Sequence, residues 1–167
     1  MTSRRAFLSA QLQRKNSNAI RPPGSAAGFE ELCSQCDDCA AACPENVIAI
    51  GSDGFPELVA ANGPCTFCGA CAQACPTQAL DADLIPSWQW RARVEASSCL
   101  SMNGVSCRIC QDNCEQEAIR FRLQLGGRAE PTLNTELCSG CSGCVAACPA
   151  GAIALHQVSL DAMEVTQ

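Results

Sequence analysis

Sixteen cysteines stand in four groups of four: Cys33, Cys36, Cys39, Cys43; Cys65, Cys68, Cys71, Cys75; Cys99, Cys107, Cys110, Cys114; and Cys138, Cys141, Cys144, Cys148. Three groups, "CSQCDDCAAACP", "CTFCGACAQACP" and "CSGCSGCVAACP", share the spacing C-x2-C-x2-C-x3-C-P. Three thiolates spaced three residues apart can wrap one face of a cubane iron–sulfur cluster. The fourth, just before a proline, then points away toward a second cluster. Two other uses of cysteine fit less well. Disulfide frameworks belong to secreted chains, and no apolar secretory core is found here, while the spacing repeats as a ligand pattern. Structural zinc uses paired C-x-x-C knuckles separated by a long loop, not four thiols packed into one short run. All sixteen cysteines are therefore candidate metal and cofactor ligands, and up to four 4Fe-4S clusters are predicted.

The third group, "CLSMNGVSCRICQDNCE", departs from the pattern. Seven residues separate its first two cysteines, and Glu115 replaces the proline. The motif supports the other three clusters directly; here an inserted loop still permits a cubane. The insertion is either tolerated variation or the mark of a distinct or labile site. Potential depends on local charge, hydrogen bonds to sulfur and exposure. Asp37 and Asp38 lie between ligands of the first group, and Arg108 follows Cys107 in the third. The first cluster is expected to be harder to reduce and the third easier.

In two-cluster bacterial ferredoxins the fourth cysteine ligates the other cluster. Sequential pairing then gives four ligand sets. They are Cys33, Cys36, Cys39 with Cys75; Cys65, Cys68, Cys71 with Cys43; Cys99, Cys107, Cys110 with Cys148; and Cys138, Cys141, Cys144 with Cys114. A nested pairing, first group with fourth and second with third, is the competitor.

Each group is followed by a short strand candidate: "NVIAI", "TQAL", "EAIRF" and "GAIAL". "PELVA", "WRARVEA" and "PTLNT" precede groups as further extended segments. A Gly-containing turn separates strands between the first and second groups, and Gly126-Gly127 does so between the third and fourth. Between the second and third lies "DADLIPSWQW", with Pro86 and two tryptophans. The predicted fold is α+β, with tandem ferredoxin-like domains of short helices and β-hairpins around the clusters. Its parts are a basic flexible tail over 1–28, a two-cluster domain over 29–82, a linker over 83–90, a second two-cluster domain over 91–160, and a C-terminal tail over 161–167. Trp88 and Trp90 share a face if extended, for core or inter-domain packing or for a partner. His156, the one histidine, is expected to be exposed and without a role.

Composition sets the remaining bounds. Hydrophobic residues make up 47% of the chain, but cysteines supply part of that, and aromatics are 4%. So thin a core needs inorganic staples. Formal net charge is −6, divided as +5 over residues 1–29 and −11 over residues 30–167. An acidic body argues against a nucleic-acid partner. The absence of a long apolar segment argues against a membrane span. No phosphate loop, nucleotide fingerprint or hydrolase motif is found, and no catalytic residue is assigned; a non-enzyme is expected. "SRRAFL" resembles a twin-arginine export motif, but "SAQLQRKNSNAIRPPG" after it is polar and basic rather than apolar. A retained arm is the better reading, either solvated or docking on a partner.

Taken together, "SRR", "NAIRPP", the three regular cysteine groups and "VSCRICQDNCEQEAI" resemble the NapF family. These are ferredoxin-type accessory proteins of periplasmic nitrate reductase systems. The resemblance spans nearly the whole chain, and all sixteen cysteines match the family's ligand positions. It implies a cytoplasmic protein that meets the precursor of the catalytic molybdoenzyme, NapA, before export. There it would assist maturation by electron transfer or iron–sulfur cluster assembly. A subunit or soluble ferredoxin relaying electrons in a dehydrogenase or reductase system is the alternative.

Overall fold

Every helix among the described residues is too short to be stable alone. Helix nucleation is costly, and isolated segments below about 12 residues do not hold in water. The α-helices here are four or five residues long, so packing around the cysteines must hold them. A computed structural model describes residues 19–124 and 128–158. The elements run α1 (Phe29–Leu32), α2 (Asp38–Ala41), β1 (Ile48–Ile50), β2 (Pro56–Leu58), α3 (Ala70–Gln73), a 3-10 helix (Ala82–Ser87), β3 (Trp90–Val94), α4 (Ile109–Asp112), β4 (Ile119–Leu123), β5 (Ala129–Leu133), α5 (Gly143–Ala147) and β6 (Ile153–Gln157).

These elements form two lobes with separate cores. The first is built on Phe29, Cys39, Val47, Ile48, Ala79 and Leu80. The second is built on Ala92, Cys110, Ala118, Ile119, Cys144 and Ile153, with Cys138 among them. Cysteines thus take places that aliphatic side chains would otherwise fill. Each lobe has an antiparallel hairpin between its two cysteine groups. β1 pairs β2 with Ile48 opposite Leu58, and β4 pairs β5 with Ile119 opposite Leu133. The turn in the first hairpin is set by Asp53, whose carboxylate accepts the Phe55 N–H at 3.1 Å, and by Gly54 at φ 81°. This is the tandem α+β ferredoxin-like architecture expected from the spacing.

The lobes are closed differently. In the second, β3 precedes the cysteine groups and pairs antiparallel with β6, which follows them, from Trp90↔Gln157 to Val94↔Ile153. In the first, "TQAL" forms no strand; a single bridge joins Ser25 to Leu80. Proline explains the reduction, because Pro22 and Pro23 have no N–H to offer a ladder.

Residues 19–28 therefore depart from the expected flexible tail. Pro22 and Pro23 are fully buried, and Leu58 donates its N–H to the Ile20 carbonyl at 2.6 Å. Arg21 binds Asp53 at 2.6 Å and Glu30 at 3.3 Å, and lies over the rings of Phe29 and Phe55. The remainder of that tail, the "SRR" motif, the Gly126-Gly127 turn and the tail over 161–167 lie outside the described residues. The segment read as a linker is mostly the 3-10 helix, capped by Asp81, which accepts the Asp83 N–H. His156 is half-buried on β6 rather than exposed, and its Nδ1 is buried without a hydrogen-bond partner among the described residues.

Candidate iron–sulfur centres

The local backbone of the cysteine loops goes with the two-residue gaps between successive cysteines. In the first, second and fourth groups, two positions between cysteines are left-handed. They are Gln35 and Asp37, Phe67 and Gly69, and Gly140 and Ser142, all with φ between 54° and 76°. Such reversals turn successive N–H groups inward, making a concavity suited to an anion. α2, α3 and α5 start directly from these turns, with Asp37, Gly69 and Ser142 as their N-caps. The third group lacks this. Arg108, at the corresponding position, has φ −139°, and the inserted loop turns instead at Gly104, φ 87°.

That insertion is ordered by specific bonds. Asn103 Nδ2 donates to the carbonyls of Ala96 and Ser97, both at 3.2 Å, and of Cys99 at 2.8 Å. Ser101 is buried and its hydroxyl donates to the Ala129 carbonyl of β5. The loop is thereby fastened across the second hairpin, so that Cys99 reaches the same cavity as Cys107 and Cys110 despite the longer gap.

Four small cavities of about 310 to 360 Å³, counting their open mouths, are each lined by four cysteines. One holds Cys33, Cys36, Cys39 and Cys75. The second holds Cys43, Cys65, Cys68 and Cys71, and the third Cys99, Cys107, Cys110 and Cys148. The fourth holds Cys114, Cys138, Cys141 and Cys144. In every case three neighbours in sequence are joined by the fourth cysteine of the other group in the lobe. Nested pairing would put Cys75 beside Cys99, and these line cavities in different lobes.

The donor set fits a cluster better than a single ion. All sixteen thiols are free of disulfides. Among the described residues, no three His, Cys, Asp or Glu side chains converge closely enough to hold one metal ion. Structural zinc would draw its ligands onto one point; here the sulfurs stand around a space. Burial pushes the thiols of Cys39, Cys65 and Cys110 up to about 11, and that of Cys144 to about 12. For Cys39 and Cys144, crowding by neighbouring thiols of the same lobe adds to this. Buried thiolates of this kind need a compensating positive charge, which iron supplies. For Cys75 burial acts in the same direction, but the N–H groups of Leu80, Thr77 and Ala79 outweigh it and hold the thiol below its ordinary value. Further N–H donors reach sulfur from Ala92 to Cys138 at 3.4 Å and from Ala152 to Cys148 at 3.2 Å. Such bonds stabilise thiolate and tune cluster potential.

Paired cysteine cavities inside two similar hairpin lobes define a ferredoxin-type iron–sulfur protein that carries several 4Fe-4S clusters. The family model described as a 4Fe-4S dicluster domain matches residues 32–79 and again 105–152. The chain is 42% identical to the ferredoxin-type protein NapF of Escherichia coli over 153 residues, 90% of this chain and 92% of that one. It is 42% identical to NapF of Haemophilus influenzae over 150 residues, 87% of this chain and 84% of that one. The methylamine utilization ferredoxin-type protein MauM of Methylorubrum extorquens is 34% identical over 163 residues, 86% of this chain and 74% of that one. The chain belongs to the NapF family of ferredoxin-type proteins.

Trp88 packs between the lobes, one of the places expected of it, against Phe67 and the Gly140 carbonyl; sequence reasoning missed the clamp around Arg21 and the loop-to-loop contacts of the two lobes. "NAIRPPGS" occupies the place before the first group that "WQWRARVEA" holds before the third, and that parallel was the available signal. Among the described residues, no helix is long and apolar enough to cross a membrane.

Proposed function

We propose that the chain is an iron–sulfur accessory protein, not an enzyme, that works in the cytoplasm. It binds the precursor of the periplasmic nitrate reductase catalytic subunit, NapA, and assists its maturation before export by one-electron transfer. The observation that carries the reading is the set of four cavities, each lined by four cysteines. A 4Fe-4S cluster, when bound, stores or releases one electron. Cys33, Cys36, Cys39 and Cys75 would hold one cluster, and Cys43, Cys65, Cys68 and Cys71 the second. Cys99, Cys107, Cys110 and Cys148 would hold a third, and Cys114, Cys138, Cys141 and Cys144 the fourth. The surrounding backbone N–H groups offset the negative charge, and the apolar cavity walls keep water from the buried sulfurs.

Four of the five cations of the N-terminal region lie in residues 1–18, outside the described residues. We assign those four to partner docking, and Arg21 to the first lobe. The test is an anaerobic pull-down of the tagged full chain from host cytosol, with intact-mass analysis of what binds. A molybdoenzyme that still carries its signal peptide is the expected result. Recovery only of mature redox subunits would overturn the maturation role in favour of an electron relay. Removing residues 1–18 is expected to weaken capture most at low salt, with the gap to the full chain closing as salt rises. Equal capture at every salt concentration would exclude docking by the arm.

A further inference from the structure

The lobes meet where the second and fourth cysteine loops touch, and nothing in the motif announces this. The Cys65 N–H donates to the Cys141 carbonyl at 2.7 Å. The Ser142 hydroxyl, fully buried, donates to the Gly63 carbonyl at 2.7 Å. A Cβ placed on Gly143 would sit 3.5 Å from the Pro64 side chain. Trp88 spans the same seam. Its ring meets Phe67 of the second loop edge-on at 6.3 Å, and its Nε1 donates to the Gly140 carbonyl of the fourth loop at 3.4 Å. A side chain at Gly140 would collide with the Trp90 carbonyl oxygen and crowd Trp88 Nε1, so only glycine lets the fourth loop sit against β3 and Trp88.

Cys65 and Cys141 line the second and fourth cavities respectively. Their ligating sulfurs are joined by a short path. It runs from Cys65 Sγ through Cβ, Cα and the amide nitrogen, across one hydrogen bond, and then through the carbonyl, Cα and Cβ of Cys141 to its Sγ. Electron tunnelling falls steeply with separation and prefers covalent and hydrogen-bonded routes to gaps. The outer cavities lie away from the seam. Every residue lining the first lies between Phe29 and Leu80, and every residue lining the third between Val94 and Ile153. Neither is lined by Gly63–Phe67 or by Gly140–Gly143.

From this juxtaposition we infer that the four centres form one line in the order first, second, fourth, third, with Cys65 and Cys141 as the crossing between lobes. This rests on the ligand assignment proposed above. With clusters bound, each step would pass one electron from a reduced centre to its oxidised neighbour. No bond forms or breaks and no proton need move. Electrons enter and leave through outside one-electron carriers at the two outer centres. Those ends differ in charge. Exposed Asp37 lines the first, with exposed Asp38 next to it in sequence, whereas exposed Arg108 follows Cys107 and lies over the ring of Phe121, both of which line the third. Ser142, Gly140 and Trp88 act as positioning residues for the crossing.

The test uses the full chain with both outer cavities disabled by Cys33→Ser, Cys36→Ser, Cys99→Ser and Cys107→Ser. After anaerobic loading and reduction with dithionite, iron analysis is expected to give two cubanes. Electron paramagnetic resonance is expected to show their spins mutually coupled, as split or broadened lines. Two cubanes with independent, unbroadened spectra would overturn the order. If that variant does not load, the four-cluster chain is compared with Trp88→Ala/Ser142→Ala. Full iron with loss of part of the spin coupling supports the crossing, and full iron with an unchanged spectrum overturns it. A wild-type chain that binds fewer than four cubanes would instead overturn the ligand assignment, and the order with it.

Discussion

The two lobes solve one problem in two ways. Each must tie the segment before its first cysteine to the segment after its last, since otherwise the cavities open at one end. The second lobe uses a full ladder, β3 against β6. The first has one bridge, Ser25 to Leu80, and adds a charged clamp in which Arg21 reaches Asp53, Glu30 and the faces of Phe29 and Phe55. A ladder spreads its stability over many backbone bonds. A clamp concentrates it in a few side chains, one of them an aspartate only 4% exposed. The difference teaches where each lobe is vulnerable: the first at a single residue, the second in its inserted loop.

Removing the clamp is the most damaging test of that contrast. Arg21→Ala leaves Asp53 buried without its ion-pair partner and is expected to cost about 3 kcal/mol. Anaerobic melting followed at the cluster absorbance is expected to split, with the first lobe failing early and the second unmoved. A single shifted transition would mean that the lobes unfold together and the contrast has no energetic content.

The same clamp carries a pH signature. The Arg21 hydrogen bond is the main cause holding the Asp53 carboxyl below its ordinary value, against the opposing effect of burial. A depressed carboxyl contributes stability above its unfolded value, about pH 4. That contribution is lost as pH falls through the folded value. Asp53→Asn is therefore expected to melt below wild type at neutral pH. The gap is expected to close below about pH 4. A gap constant with pH would remove the ion pair from the account.

In the second lobe, Asn103→Ala removes the side chain that ties three carbonyls of the inserted loop. The expected cost is about 1 kcal/mol, with faster loss of one cluster in air and a shifted midpoint for one centre only. An unaltered set of midpoints would make the insertion mere spacing. The smallest effect is expected from Arg120→Ala. Its pair with Glu117 at 2.9 Å is on open surface, with both side chains at least 70% exposed. Melting is expected to change by less than about 0.5 kcal/mol.

Much of this was legible in the cysteines. Spacing alone indicated clusters, and the Gly-containing segment after Ile50 located the hairpin between the first two groups. "VSCRICQDNCEQEAI" tied the chain to its family. What stayed hidden depends on contacts between distant residues. Arg21 reads as one more cation of a basic arm, because nothing in the chain states that Asp53 will be buried beneath it. "RPPG" signals a break in regular structure, and both prolines nonetheless pack into the first lobe, since burial needs no ladder. His156 was expected on the surface because a lone histidine has no visible partner, yet its place on β6 half-buries it. At the seam the tryptophans gave a signal, but the loop contacts were illegible for the same reason: Ser142 and Gly63 gain their meaning only when the lobes meet.

The central claim, that the fourth cysteine of each group serves its neighbour's centre within one lobe, is tested most directly by alkylation mapping. The chain carrying Cys75→Ala is loaded anaerobically, treated with a thiol reagent, and digested for mass analysis. Labelling is expected at Cys33, Cys36 and Cys39, with Cys65, Cys68 and Cys71 protected as in wild type. Labelling of Cys65, Cys68 and Cys71 instead would show that each group keeps its own fourth ligand. Labelling of Cys99, Cys107 and Cys110 would show nested pairing across the lobes. Either result would contradict the arrangement of cavities described above.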